Sequence, residues 1–77
     1  MSKELPALRA RDVLRILKRA GFVKWRQKGS HLTLYRAADR RAVTIPMHFS
    51  GTLPKGTLRA IISEAGLTTG EFVSFRN

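Results

Sequence analysis

The chain has 77 residues, of which 43% are apolar and none is cysteine, and fifteen Lys and Arg outnumber five Asp and Glu for a net charge of +10. This length allows one domain, residues 1–77, with a thin core and no deep pocket for a small molecule. The composition excludes a disordered tail, a disulfide framework and any apolar run near the roughly 20 residues of a membrane span. The N-terminus lacks the apolar stretch of a signal peptide, so we expect a cytoplasmic protein.

The charge of +10 predicts a polyanionic partner, and a nucleic acid fits it best. Binding to phosphates would weaken steeply with salt, because it releases counterions. Two alternatives remain open at this point. The charge also suits a solvated surface, although solubility charges are usually of mixed sign. It suits a membrane surface as well, although the periodic apolar residues of the chain are needed for a core.

The first predicted element is a helix, which follows a short N-terminal arm (residues 1–8) with little expected structure. Apolar residues then recur at the i, i+3, i+4 and i+7 spacing of a helix face: Val13, Ile16, Leu17 and Ala20. Basic residues fill the other face, and Gly21 is placed to end the helix.

Three β-strands are predicted next, at residues 22–27, 31–36 and 42–45. Turn signals separate them, and a proline closes the third strand. In the middle strand two leucines alternate with polar and aromatic residues. Leu32 and Leu34 should therefore face a core, whereas the neighbours between and beside them should face outward: His31, Thr33 and Tyr35.

A second helix follows a loop at residues 46–55. Its apolar face is formed by four residues at helical spacing: Leu58, Ile61, Ile62 and Ala65. Gly66 ends it, and Thr68 or Thr69 caps a last short turn that returns Phe72 and Phe75 to the body.

The element order predicts an α+β fold, α-β-β-β-α. Three consecutive strands with tight turns make a three-stranded antiparallel sheet, and two amphipathic helices cover one face of it. The other face stays open to water and carries His31.

Two histidines, His31 and His48, are the first candidates for chemistry. An imidazole is suited to give and take protons near neutral pH, and cleavage of RNA by its own 2′-hydroxyl needs one base and one acid. His31 is the stronger candidate, since it follows a Gly-Ser turn with basic neighbours. Taken alone, however, a histidine is more often an ordinary surface or hydrogen-bonded residue than a catalytic one.

Residues around His31 are expected to bind RNA. Basic side chains would contact phosphates, a glycine turn would let a phosphate approach the backbone, and the start of the second helix would attract one. The predicted set is Arg26, Lys28, Gly29, Ser30, Tyr35, Arg36, His48 and Lys55. Tyr35 is the favoured aromatic for stacking on a base, with Phe49 another candidate, whereas Trp25 is expected in the core.

Other kinds of site are not expected. The two histidines and scattered carboxylates lack the spacing of metal ligands, so no metal or other cofactor is predicted. Ser30 beside His31 does not by itself make a nucleophile–base arrangement.

Four segments together resemble the HicA toxins, the small ribonuclease partners in HicAB toxin–antitoxin systems of type II. They are Gly21-Phe22, Arg26-Gln27-Lys28-Gly29-Ser30-His31, Val43-Thr44-Ile45-Pro46-Met47-His48 and Lys55-Gly56-Thr57-Leu58-Arg59-Ala60-Ile61. The resemblance spans nearly the whole chain. It implies a fold similar to the double-stranded-RNA-binding domain and mRNA interferase activity with His31 as the catalytic histidine. It also implies a HicB-type antitoxin that binds over the active site.

Two readings compete with that of a metal-independent endoribonuclease. A non-catalytic RNA-binding module has the same fold, because fold does not settle function. An interaction protein that pairs with an acidic partner is the other, and it is compatible with the endoribonuclease.

Overall fold

The order of secondary-structure elements in the computed structural model, which describes residues 5–76, confirms the predicted α-β-β-β-α arrangement. The elements are α1 (Ala10–Arg19), β1 (Val23–Lys28), β2 (His31–Arg36), β3 (Arg41–Pro46), α2 (Lys55–Glu64) and α3 (Thr69–Ser74). The short α3 is the predicted last turn. Thr68 caps it, because its hydroxyl accepts a hydrogen bond from the Glu71 backbone N–H at 3.0 Å.

The sheet is antiparallel in the order β1-β2-β3. His31 pairs with Lys28 of β1 and with Pro46 of β3. The β1–β2 register shifts between Lys24 and Arg26, so β1 contains a β-bulge. An extra residue at a bulge locally breaks the strict alternation of faces, and here that residue is Trp25.

Local signals begin and end α1. The Arg9 backbone N–H donates to the Asp12 carboxylate at 2.9 Å, and this bond is the main reason that the pKa of Asp12 lies below its usual value. The negative charge also suits the positive end of the helix dipole. Gly21, with φ of +101°, takes the left-handed conformation that ends the helix.

The core lies between the helices and one face of the sheet. Leu34 and Ile45 from the sheet, and Leu17 and Leu58 from the helices, are fully buried. Leu32 and Val43 belong to the same cluster, which confirms the predicted alternation in β2. Burial of each such side chain contributes about 1.5–3 kcal/mol to stability.

The predicted N-terminal arm is a packed segment from Leu5 onward, and the expectation of little structure was wrong there. Leu5 and Leu8 are buried in the core. The Leu53 backbone N–H donates to the Leu8 carbonyl at 2.8 Å, and the Lys55 ammonium donates to the Leu5 carbonyl. A segment without helix or strand is thus held by hydrogen bonds to two of its backbone carbonyls and by two leucines. Residues 1–4 of the predicted arm lie outside the described residues.

No helix among residues 5–76 is long and apolar enough to cross a membrane.

Candidate active site

A basic groove lies on the open face of the sheet. It is lined by Arg26, Lys28, His31 and Thr33 and has a volume of about 470 Å³. The strand register explains the set, because the Lys28–His31 and Arg26–Thr33 pairs of β1 and β2 are separated by one pair, Gln27–Leu32, and therefore face the same side. Thr33 was predicted to face outward but not to belong to the site.

The turn between β1 and β2 presents His31. Gly29 has φ of +58°, a conformation that a residue with a side chain rarely adopts. The Gln27 side-chain amide donates to the Gly29 carbonyl at 3.0 Å and fixes the turn. No atom outside the turn lies within 4 Å of the place where a Cβ on Gly29 would be, so the glycine also leaves the turn open to a ligand.

The second histidine lies beside the first. The Met47 backbone N–H donates to the Ser30 carbonyl, which brings the loop after β3 against the β1–β2 turn. The ring centroids of His31 and His48 are 5.9 Å apart, and both side chains are exposed. The structure therefore brings together two imidazoles that are 17 residues apart in the chain.

Contacts on two sides orient the His48 ring. Phe49 stacks on it with centroids 4.5 Å apart and an interplanar angle of 26°. The Ser30 hydroxyl is 3.4 Å from Nδ1 of His48, a long hydrogen bond whose direction depends on the histidine tautomer. Ser30 therefore contacts the second imidazole as well as shaping the turn.

The electrostatics of this face are positive throughout. No residue of the three strands is acidic. The Asp12 carboxylate pairs with Arg15, and Asp39 pairs with Arg36 and Arg41. Among residues 5–76, neither Arg26 nor Lys28 forms an ion pair. Both cations of the groove are thus available to an anion.

Arg36, which was predicted to bind RNA beside His31, does not line the groove. It follows Leu32 and Leu34 on the helix-covered face, where its side chain is 18% exposed. Its guanidinium donates to both Asp39 carboxylate oxygens at 2.7 and 3.0 Å, and these bonds raise the pKa of Arg36 and lower that of Asp39.

The same guanidinium also joins the ends of two helices. It donates to the Ala20 carbonyl at 2.8 Å and to the Ala65 carbonyl at 3.2 Å, which are the C-terminal cap residues of α1 and α2. It also lies over the Phe22 ring, 4.5 Å from the centroid. A cation at two helix C-termini favours both helix dipoles, so Arg36 is a structural residue.

Two further predicted residues lie apart from the histidines. Lys55 is the first residue of α2, and its ammonium binds the Leu5 carbonyl. Tyr35 is on the open face, at the far end of β2 from His31, with its ring 5.8 Å from that of Trp25.

Trp25 is not a core residue, contrary to prediction. Its side chain is 57% exposed, because the bulge in β1 places it on the open face of an edge strand. No sequence signal marks this bulge.

Among residues 5–76, no three His, Cys, Asp or Glu side chains lie together in a group that could hold a metal ion.

The family model described as the HicA toxin of bacterial toxin–antitoxin matches residues 10–67, which is most of the chain. The chain belongs to the HicA toxin family. The matched region includes both histidines, the whole sheet and the two long helices. A search of curated proteins returns no match. As a HicA toxin, the protein is the toxic component of a toxin–antitoxin pair, and a cognate antitoxin is its partner.

Proposed function

We propose that this HicA toxin is an endoribonuclease that cleaves mRNA in the cytoplasm with His31 as its principal catalytic residue and His48 as the second proton-transfer group. The observation that carries the proposal is the pair of exposed imidazoles, 5.9 Å apart, beside the unpaired cations Lys28 and Arg26. RNA has the two features that this arrangement fits, a phosphate and an adjacent 2′-hydroxyl.

The chemistry requires two proton transfers and no metal ion. One neutral imidazole takes the proton of the 2′-hydroxyl, and the 2′-oxygen then attacks phosphorus. The bond from phosphorus to the 5′-oxygen breaks, and the second imidazole, in its protonated form, gives its proton to that leaving oxygen. The products are a 2′,3′-cyclic phosphate and a 5′-hydroxyl.

The basic residues supply the electrostatic part of catalysis. Negative charge builds on the phosphoryl oxygens as the 2′-oxygen attacks. Lys28, opposite His31 in the register, and Arg26, the next residue of β1 on the same face, would stabilise that charge. The open turn at Gly29 lets the phosphate approach His31 closely.

A digest of RNA by purified protein in the presence of a chelator tests the role of His31. We expect the wild type to cleave and His31→Ala to be inactive. The His31 ring is exposed and makes no hydrogen bond within residues 5–76, so the variant should unfold at the wild-type temperature. Equal cleavage by the two proteins, or cleavage by neither, would refute the assignment.

Growth of cells that express the two forms separates a nuclease from a non-catalytic RNA-binding module. A nuclease arrests growth, and His31→Ala relieves the arrest. An RNA-binding module gives the same growth in both forms.

The antitoxin is proposed to cover the same groove. An acidic protein would associate quickly and in a salt-dependent way with a face that has no carboxylate on its strands. A neighbouring gene for a small acidic protein, whose product abolishes RNA cleavage, is the expected finding.

A further inference from the structure

Trp25 is a large exposed aromatic side chain that the proposed cleavage reaction does not use. It is 57% exposed, whereas Phe22 and Phe72 are fully buried. Val23 of the same strand is 61% exposed, so Trp25 belongs to an exposed apolar patch rather than standing alone, and such patches mark interaction surfaces.

The surroundings of Trp25 are aromatic and cationic. Tyr35 of β2, whose partner in the register is Val23, lies diagonally beside Trp25, with ring centroids 5.8 Å apart and an interplanar angle of 49°. The Arg26 guanidinium lies over the indole, 4.8 Å from the ring centroid. Exposed aromatic rings beside arginine are the usual components of a surface that binds single-stranded nucleic acid.

This aromatic pair is continuous with the groove. Arg26 contacts the Trp25 ring and also lines the groove with His31. Tyr35 follows His31 by four residues in β2 and faces the same side, a separation of about 13 Å at the usual rise of a strand. The Arg26 guanidinium therefore lies between the imidazoles and the two aromatic rings.

We propose that Trp25 and Tyr35 form a base-stacking platform that holds a nucleobase of a single-stranded RNA, a short distance along the chain from the phosphate at His31. Arg26 binds the intervening backbone. The bases of a duplex are stacked on one another and not available to the rings, so the platform selects single-stranded over double-stranded RNA. This inference rests on the proposed nuclease for the position of the phosphate, but the base-binding step itself requires no cleavage.

An apolar contact with the antitoxin is the competing use of this surface. Two features favour the nucleobase. The indole carries a guanidinium on its face, and the patch continues into a groove with unpaired cations rather than into further apolar surface. A phosphate beside a base matches both features.

Fluorescence tests the platform directly, because Trp25 is the only tryptophan in the chain. We would titrate His31→Ala protein with a short single-stranded RNA and with a duplex of the same sequence. Heparin serves as a polyanion without bases. Stacking of a base on the indole should quench the fluorescence with the single strand, whereas heparin should bind without quenching and the duplex should quench little.

Substitutions then measure what the ring contributes. Trp25→Ala in the His31→Ala background should weaken binding of the single strand roughly 5- to 150-fold, the range for loss of one stacked base. Trp25→Phe should keep much of the affinity. The matched control is Val23→Ala, which removes an apolar side chain of similar exposure, 61%, from the same strand without removing a ring. It should bind as tightly as its parent.

Three results would overturn the proposal: single-stranded RNA that binds without quenching, Trp25→Ala with unchanged affinity, or equal losses in Trp25→Ala and Val23→Ala. Equal losses would indicate a merely apolar surface, as an antitoxin would use. Failure of the nuclease proposal is separately visible, since wild-type protein would then leave RNA intact while the quenching with single-stranded RNA persists and supports the platform.

Discussion

The two faces of the sheet use arginine for opposite purposes. On the helix-covered face, Arg36 donates to the Ala20 and Ala65 carbonyls and to Asp39, so that its charge holds the ends of two helices. On the open face, Arg26 lies over an exposed indole, and neither it nor Lys28 has a carboxylate partner within residues 5–76. On one face the charge of a cation stabilises the fold, and on the other face the charges of Arg26 and Lys28 are not neutralised by a carboxylate within residues 5–76.

Strand alternation decides which purpose a basic residue serves. Arg36 shares the parity of Leu32 and Leu34, and Lys28 is paired with His31 on the other side. The basic residues that give the net charge of +10 therefore do not all belong to one binding surface. The comparison predicts that charge removal on one face changes stability, and that the same change on the other face alters RNA binding and cleavage.

After the loss of activity expected for His31→Ala, the next largest effect is expected from His48→Ala. Loss of one of two proton-transfer groups should lower the cleavage rate about 100-fold or more. The pH–rate profile of the wild type should be bell-shaped, and the variant should lose one limb. Ser30→Ala is the control. The Ser30 hydroxyl is 3.4 Å from Nδ1 of His48 and supplies at most a weak contact, so the cleavage rate of this variant should fall less than tenfold. A His48→Ala profile that keeps both limbs would remove His48 from the reaction.

Arg36→Ala should lower the stability of the protein without changing RNA binding or cleavage. The two carbonyls at the helix ends lose a charged donor, and the free energy of unfolding should fall by roughly 2 kcal/mol. Arg36→Lys should recover little of this, because an ammonium lacks the planar fork that reaches Asp39 and both carbonyls. Urea unfolding measures the change. Unchanged stability together with weaker RNA binding would contradict this role and indicate that Arg36 binds RNA.

Lys28→Ala is the matched removal of charge from the open face. Stability should stay within about 0.5 kcal/mol of wild type, since the side chain is exposed. RNA affinity should fall, and the slope of log affinity against log salt should decrease by about one, the signature of one lost phosphate contact. An unchanged slope would show that Lys28 does not touch a phosphate.

The smallest expected effect is on the stability of the protein at acidic pH. Hydrogen bonds from Arg36 lower the pKa of Asp39 below its usual 3.8, so the unfolded chain binds protons more readily than the folded one. This contribution is present above pH 3.8 and is lost as the pH falls through the lowered value. Asp39→Asn should therefore flatten the fall in stability below pH 3.8. Unfolding curves from pH 5 to pH 2 measure it, and identical curves for the two proteins would contradict the assignment.

Most of the fold was predictable because its signals are local. Helical spacing marked α1 and α2, Gly21 and Gly66 marked their ends, and alternation in β2 fixed the outward position of His31. The packed segment at residues 5–8 was not predictable, since Leu5 and Leu8 show no helix or strand period and are held by partners near residue 53.

The site was predictable in part, and the failures have physical causes. The proximity of His48 to His31 depends on the β2–β3 register and on the Met47–Ser30 hydrogen bond, which no local pattern encodes. The exposure of Trp25 depends on a bulge. Arg36 is different, because its parity with the buried leucines was visible in the sequence and should have placed it on the covered face.

The ends of the RNA fragments test the central claim most directly, since they record which oxygen attacked phosphorus. RNA cleaved by the wild-type protein in chelator should carry a 2′,3′-cyclic phosphate on one fragment and a 5′-hydroxyl on the other, and His31→Ala should produce neither. A 3′-hydroxyl end paired with a 5′-phosphate would mean that water, not the 2′-hydroxyl, attacked, and would contradict the two-histidine mechanism.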